Sequence, residues 1–263
     1  MPNYRIDLEY EGTRYRGWQE QQNARSVAGE LKRALVDAGA DVSELGGAGR
    51  TDAGVHALQQ VAHLRLRRAI DPGRLRLAVN DRLPADIHIL SLTKAPDNFH
   101  ARHDAVLRSY LYQVARRRTA LAKRGVWWVK RPLDPAAMVR AAAVLPGLHD
   151  FRSFCERPQD HPSTKVAVES VAVVEDGALV LVRIAASHFL WKMVRRLVGT
   201  LVEVGAGSLP PSSIEDLMSG RSTLVSPALF TAPPSGLFLE RVLYRGDGPL
   251  PPVVAAMPVT EEP

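Results

Sequence analysis

The sequence predicts an α+β fold of two similar halves, with a mixed, mostly antiparallel sheet and helices on one face. Three observations predict it. Apolar runs of period two, the mark of strands, are interleaved with runs of helical period along the chain. Turn-forming residues between neighbouring strand-like runs point to hairpins, hence to antiparallel pairing. A strand–helix–strand–helix–strand order occurs on both sides of a divide near residue 100, which suggests two α+β units with a cleft between them. The expected organisation is a first half over 1–103, a second over 104–245 and a poorly ordered tail over 246–263.

Tyr4, Ile6, Leu8 and Tyr10 alternate with polar residues and open the first half as a strand. Ser26 suits the cap of a helix whose apolar positions include Val27, Leu31, Ala34 and Leu35 and which ends near Gly39. After a glycine-rich loop, residues 61–66 read as a strand, 71–80 as a helix and 87–92 as a strand. Residues 104–115 form a long strand that crosses between the halves. Asp134-Pro135 opens a helix to Leu145, with Asp at the cap and Pro in the first turn. Residues 165–174 and 178–184 make a hairpin around Glu175-Asp176-Gly177. An amphipathic helix covers 189–204, a shorter one 212–219, and a last strand 237–244. Beyond Gly246 the chain is proline-rich and lacks periodicity.

At 263 residues, with 46% hydrophobic and 24% charged residues, the composition is that of a globular protein. No apolar window of about 18 residues is present, so no membrane span is expected. The first residues run into a strand without the core of a signal peptide. The single cysteine, Cys155, excludes an internal disulfide and fits the cytoplasm; a small, partly buried side chain is its simplest role. The net charge is +6, and 28 of the 34 basic residues are arginine. Between Arg102 and Arg131 nine basic residues face one acid, Asp104. Such a concentration is either a solvated face or the footprint of a polyanion, and arginine offers phosphate a planar pair of donors.

The run from Gly46 to Ala57 holds the strongest local signal. Glycines and alanines crowd around one guanidinium and one carboxylate, Arg50 and Asp52, with Thr51 between them. Small residues leave room for a bulky partner over that carboxylate, which suits a nucleophile or an acid/base group. Neither the dinucleotide nor the P-loop glycine pattern is present. The eight histidines are scattered, without metal-ligand spacing, and His56 reads as a structural hydrogen-bonding group.

Gly49-Arg50-Thr51-Asp52-Ala53-Gly54-Val55-His56 resembles the catalytic signature of the TruA family of tRNA pseudouridine synthases. Further blocks are similar to that family in the same order. They are Tyr10-Glu11-Gly12-Thr13 with Tyr15 to Gln19, Asn80 with Leu83-Pro84 and Asp86-Ile87, and Phe99 to Arg102. Arg108 to Tyr112, Phe189 with Met193-Val194-Arg195 and Val198-Gly199, and Gly236-Leu237 with Leu239 complete the set. The resemblance spans nearly the whole chain. It implies ferredoxin-like or RRM-like halves around a central RNA-binding cleft, a homodimer, tRNA as partner, and no cofactor or metal.

The reaction it implies breaks the N1 glycosidic bond of a uridine and rejoins the uracil through C5. Asp52 is the carboxylate assigned to it, as nucleophile at C1′ or C6 or as base at C2′. Arg195 matches the ion-pair partner; a guanidinium within a few ångströms lowers a carboxyl pKa by ~1–3 units against the effect of burial. Tyr110 matches the residue that stacks on uracil, a contact worth ~1–3 kcal/mol. Tyr110 and Tyr112 share a strand face, and the resemblance alone separates them. Arg50 matches the residue that props the place of the flipped base, and Leu237 a substrate contact. Arg108, Arg116, Arg117, Arg118, Lys123 and Arg124 are candidates for phosphate contact. The implied target is the anticodon stem-loop, at positions 38, 39 and 40.

Ala28, Lys32 and Ser163-Thr164-Lys165 depart from the family pattern, and Trp191-Lys192 falls in a variable stretch. Two other functions are open to the same residues. One is a non-catalytic tRNA-binding or remodelling protein. The other is a metal-dependent nuclease using Asp52 with Asp7 or Asp104.

Overall fold

The computed structural model describes residues 1–221 and 225–261. The chain forms two compact units, Met1–Val106 with Phe238–Gly248 and Leu107–Leu237 with Pro249–Pro263. Each is α+β with mostly antiparallel strands, the class that the sequence predicts.

Alternation drives the first strand, β1 (Asn3–Tyr10), whose Tyr4, Ile6, Leu8 and Tyr10 are all buried. Helix α1 (Val27–Asp37) begins where Ser26 Oγ accepts the amide of Gly29. Strands β2 (Val42–Gly47) and β3 (His56–Leu66) follow. Helix α2 (Pro72–Asn80) is capped by Asp71 Oδ1, which accepts the Arg74 amide at 2.7 Å, and β4 (Ile87–Ala95) comes next. β1 lies between β3 and β4, with β2 on the far side of β3 and every pair antiparallel. That is the split β-α-β order of a ferredoxin-like βαββαβ unit.

The second unit shares part of that plan, a strand and a helix followed by a hairpin whose second strand pairs with the first strand. Its β5 (Ala105–Ala115) carries the short parallel β6 (Trp127–Trp128). Helix α3 (Pro135–Ala142) starts on Asp134 Oδ1, which accepts the Ala137 amide. Strands β7 (Gly147–Asp150), β8 (Lys165–Asp176) and β9 (Leu179–Ala186) precede helices α4 (Met193–Gly205) and α5 (Ser213–Met218). The pairing runs β5–β9–β8–β7, antiparallel throughout. β9 is buried at every residue and is apolar throughout except at Arg183.

Strand β10 (Leu237–Tyr244) corrects the expected boundary at 245. From Phe238 it belongs to the first unit, where Phe238 and Leu239 pair in parallel with His56 and Ala57. The Phe238 ring stacks on His56 at 4.8 Å, and Tyr244 donates to the Ala101 carbonyl at 2.7 Å. The poorly ordered tail is a second correction. Gln113, fully buried, accepts the amides of Ala256 and Met257, and Arg183 donates to the Pro251 carbonyl at 2.6 Å. Ala178 donates to the carbonyl of Val259, whose side chain is buried. A proline-rich segment held by single hydrogen bonds to a distant strand has no periodicity to reveal it. Residues 262–263 of that tail lie outside the described residues.

Smaller differences have local causes. Helix α4 starts at Met193 instead of residue 189, because Lys192 adopts the left-handed conformation (φ 60°) and breaks the helical run. β3 starts at His56 instead of residue 61, since Gln60 and Ala57 pair with Leu8 and Tyr10. β2, unforeseen, ends in Gly46-Gly47, which the sequence presents as loop.

Candidate active site

The hairpin of β2 and β3 has a register shift between Val42 and Glu44, pairs regularly from Arg65 down to Ala62 and closes one step further, where Ala48 donates to the Val61 carbonyl at 2.7 Å. Beyond that point the strands part, and residues 49–55 form the loop that carries Arg50 and Asp52. Gln60 Nε2 donates to the Gly49 carbonyl at 2.9 Å and holds its base.

A second segment, Glu11 to Trp18, clasps the loop. Tyr10 Oη and Thr51 Oγ1 lie 2.8 Å apart and are both buried. Burial pushes the Tyr10 hydroxyl up to about 12, so it stays neutral near pH 7 although Thr51 and Gln60 act the other way. Trp18 donates its amide to the Thr51 carbonyl at 3.1 Å, and Gly54 donates to Tyr15 at 3.2 Å. Val55 donates back to the Asp52 carbonyl at 3.1 Å, closing a turn around the carboxylate-bearing residue. His56, buried, accepts the Gly12 amide on Nδ1 at 2.9 Å, the structural hydrogen-bonding role expected of it. Gly12 is required there: a Cβ would meet the Val55 carbonyl oxygen at 1.9 Å. The backbone on both sides of Asp52 is therefore fixed, while its side chain is half-buried and that of Arg50 is exposed. Such a loop presents a carboxylate in one orientation without sealing it from a substrate.

The remaining site candidates lie in the second unit. Tyr110 and Tyr112 both sit on β5, and their surroundings differ. Tyr112 is fully buried, its hydroxyl donates to the Pro233 carbonyl at 2.7 Å, and burial raises its pKa well above the usual value. Tyr110 keeps 8% of its surface exposed and meets Phe189 edge-on at 5.0 Å. Arg195, half-buried in the first turn of α4, donates from Nε to the Ala232 carbonyl at 2.7 Å. Leu237 is buried at the start of β10.

The basic segment divides. Arg108 is 9% exposed and donates from Nη1 to the Ser187 carbonyl. Arg116 bonds Glu175, the Gly177 carbonyl and Glu261. Arg117 bonds the Thr260 carbonyl and hydroxyl. These three arginines hold parts of the fold and the tail, and Arg116 and Arg117 remain half-buried. A charge run does not reveal which members turn back onto carbonyls. Arg118, Lys123 and Arg124 are exposed, and Arg118 lies over the Trp128 ring at 5.9 Å.

One cluster escaped the sequence analysis because its members lie far apart in the chain. Glu44, His63 and His100 bring one ligand-type atom each to within 4.8 Å of one another. His63 Nδ1 accepts the Ala101 amide at 3.3 Å and His100 Nδ1 accepts that of Arg102 at 3.2 Å. With Nδ1 an acceptor, the neutral His63 ring carries its proton on Nε2, the atom 3.1 Å from Glu44. That arrangement suits a hydrogen bond better than a metal ligand. The bond to His63 holds the Glu44 carboxyl below the ordinary carboxylate range. Burial, helped by His63 and His103, lowers the His100 pKa.

A family model described as tRNA pseudouridine synthase matches residues 8–104 and 141–245. Arg50, Asp52, Arg195 and Leu237 fall inside those spans; Tyr110 and the basic residues from Arg108 to Arg131 fall between them. A protein of Rhodopseudomonas palustris (strain BisA53) named tRNA pseudouridine synthase A is 40% identical over 248 residues, covering 93% of this chain and 100% of its own. Proteins of the same name from Allorhizobium ampelinum (39%, 94% of this chain and 97% of theirs) and Nitrobacter hamburgensis (40%, 93% and 100%) are similarly close. Among the described residues, no helix is long and apolar enough to cross a membrane.

Proposed function

The chain belongs to the tRNA pseudouridine synthase family, and from that premise we propose that it isomerises uridines 38, 39 and 40 in the anticodon stem-loop of tRNA, with Asp52 as the essential carboxylate. The observation that carries this reading is the opened β2–β3 hairpin. Its loop has the family signature, a pinned backbone around Asp52 and a side chain that is neither sealed nor freely mobile.

The chemistry asks little else of the protein. The N1–C1′ bond breaks, the uracil turns, and a C5–C1′ bond forms while C5 loses a proton and N1 gains one. No redox partner, phosphate donor or water enters the balance. Asp52 serves by attack at C1′ or C6, or by taking the C2′ proton. A uridine inside a stem must leave the stack to reach it, at a cost of a few kcal/mol. Tyr110 stacks on the uracil, Arg195 keeps the carboxylate ionised, Arg50 props the vacated place and Leu237 lines the substrate, as the resemblance implies. The protein works as a homodimer in the cytoplasm.

Tritium release from 5-tritiated uridine in tRNA tests the reading. Wild type should release it, and Asp52→Asn should lower the rate by about 10³-fold or more, the scale of losing an essential catalytic group. Binding of tRNA should change by no more than a few-fold, since no phosphate contact is lost. A wild-type protein that binds tRNA normally and releases no tritium would be a non-catalytic binder instead.

A further inference from the structure

Two residues other than glycine have left-handed backbone among the described residues, Arg157 (φ 50°) and Lys192 (φ 60°). They lie 35 positions apart in sequence and meet at one side chain. The Arg157 guanidinium carbon and Lys192 Nζ each lie 5.4 Å from the centroid of the Trp191 ring. Trp191 is 40% exposed, and Trp128 is the other tryptophan left to solvent among the described residues. Left-handed backbone at arginine and lysine is costly, and costs of this kind persist where a position serves something besides folding.

The supports beneath this cluster are stiff. The Glu156 amide donates to the Trp191 carbonyl at 2.9 Å, which joins the two segments side by side. Glu156 also pairs with the buried Arg196, whose Nη1 donates to the Cys155 carbonyl at 2.6 Å. Lys192 Nζ stands 3.4 Å from the same carboxylate, whereas the exposed Arg157 rests on the indole. The segment connects directly to two proposed substrate residues. Phe189 packs edge-on against Tyr110, and Arg195 lies in the first turn of α4, which starts two residues after Trp191.

We propose that Arg157 and Lys192, held in place by the ring of Trp191, form a phosphate clamp for the tRNA strand that flanks the reacting uridine. The inference rests on the reading of the protein as a tRNA pseudouridine synthase and adds a positioning site to it. Long cationic side chains lose much rotamer freedom on binding a phosphate. An indole that already holds them removes part of that cost; the Arg157 charge is left exposed, and that of Lys192 is shared with Glu156. A basic pair with an exposed aromatic between them is the chemistry of a polyanion surface. It is poorly suited to an apolar partner, which would have to strip the cations from the ring.

The test measures steady-state pseudouridine formation in a tRNA transcript, together with tRNA affinity over a range of salt. For Arg157→Ala we expect KM and Kd to rise about five- to tenfold with kcat unchanged. The slope of log K against log salt should shrink by about 0.7 to 0.9, the signature of one lost phosphate contact. Trp191→Leu should also raise KM several-fold, and Trp191→Phe should restore most of the affinity, because only an aromatic face holds the cations. Arg157→Gly relieves the left-handed backbone and serves as the folding control, with a Tm equal to or above wild type and the same loss of affinity. Variants that fold and keep wild-type KM and salt slope would overturn the clamp while leaving the proposed reaction intact. A wild-type protein that makes no pseudouridine would instead overturn the reaction itself.

Discussion

The two units share a strand–helix–hairpin arrangement and end their hairpins in opposite ways. In the second unit β8 and β9 pair to the last residue, Asp176 with Leu179, and turn through Gly177-Ala178 alone. In the first, β2 and β3 part after Ala48 and leave a loop long enough to carry Arg50 and Asp52. The sealed turn is an attachment point: the Val259 carbonyl, from the tail, accepts the Ala178 amide at 2.9 Å. The opened one is clasped by a separate segment that fixes its backbone and leaves its charged side chains reachable. The shared arrangement thus carries the candidate catalytic loop in one unit and a structural turn in the other, and the distinction lies in where the strand ladder stops.

The comparison breaks if the opened loop tolerates a change of shape. Gly12→Ala would drive a Cβ into the Val55 carbonyl, a rigid backbone atom. It should cost about 3 kcal/mol, the upper range for overpacking, and abolish tRNA isomerisation by displacing Asp52. Denaturant unfolding and tritium release check the two halves of that statement, and an active, stable variant would show that the clasp is dispensable.

A contrast within the second unit sharpens the division between chemistry and scaffold. Tyr110→Ala should lower the rate of isomerisation by about 10- to 100-fold, on the scale of a lost base-stacking contact, with the fold retained. Tyr112→Phe removes one buried hydroxyl whose partner is the Pro233 carbonyl. It should cost about 1 kcal/mol of stability and leave kcat alone. A reversed pattern would mean that the two tyrosines have exchanged roles.

The sealed hairpin should respond in stability and not in rate. Gly177 has φ 54°, and a Cβ there would stand 2.6 Å from the Val259 carbonyl oxygen. Gly177→Ala should therefore cost about 1–2 kcal/mol and loosen the tail, visible as faster exchange of the Ala178 amide that donates to Val259, with kcat/KM unchanged.

The smallest effect concerns acid. Glu44 on β2 bonds to His63 on β3, which holds the Glu44 pKa below its ordinary value of 4.5, and burial holds that of His100 below 6.5. In both cases the unfolded chain binds protons more readily, so stability rises with pH across these ranges. The part due to His100 is complete above pH 6.5 and is lost as the pH falls toward its folded value. That due to Glu44 is lost below about 4.5. Amide exchange in β2 should therefore accelerate between pH 7 and pH 5 relative to β8; equal acceleration in both would dissociate the effect from this cluster.

Local physics makes much of the molecule legible from its residues. Alternation along Tyr4–Tyr10 yields a buried strand, and Ser26, Asp71-Pro72 and Asp134-Pro135 start helices as caps do, because these signals act within a few residues of chain. The position of the candidate carboxylate was legible for the same reason, since eight contiguous residues carry the resemblance. Other features depend on partners far away in sequence. What Arg116 bonds is decided by Glu175 and the Gly177 carbonyl in a hairpin and by Glu261 in the tail. The parallel pairing of β10 with β3, the order in the proline-rich tail and the meeting of Arg157 with Trp191 are decided in the same way. The sequence by itself determined the element types and the family loop, whose causes are near neighbours and backbone preferences. Only the tertiary structure decided which like-looking charges and tyrosines serve the scaffold, because a hydrogen bond to a distant carbonyl leaves no periodic trace in the chain that makes it.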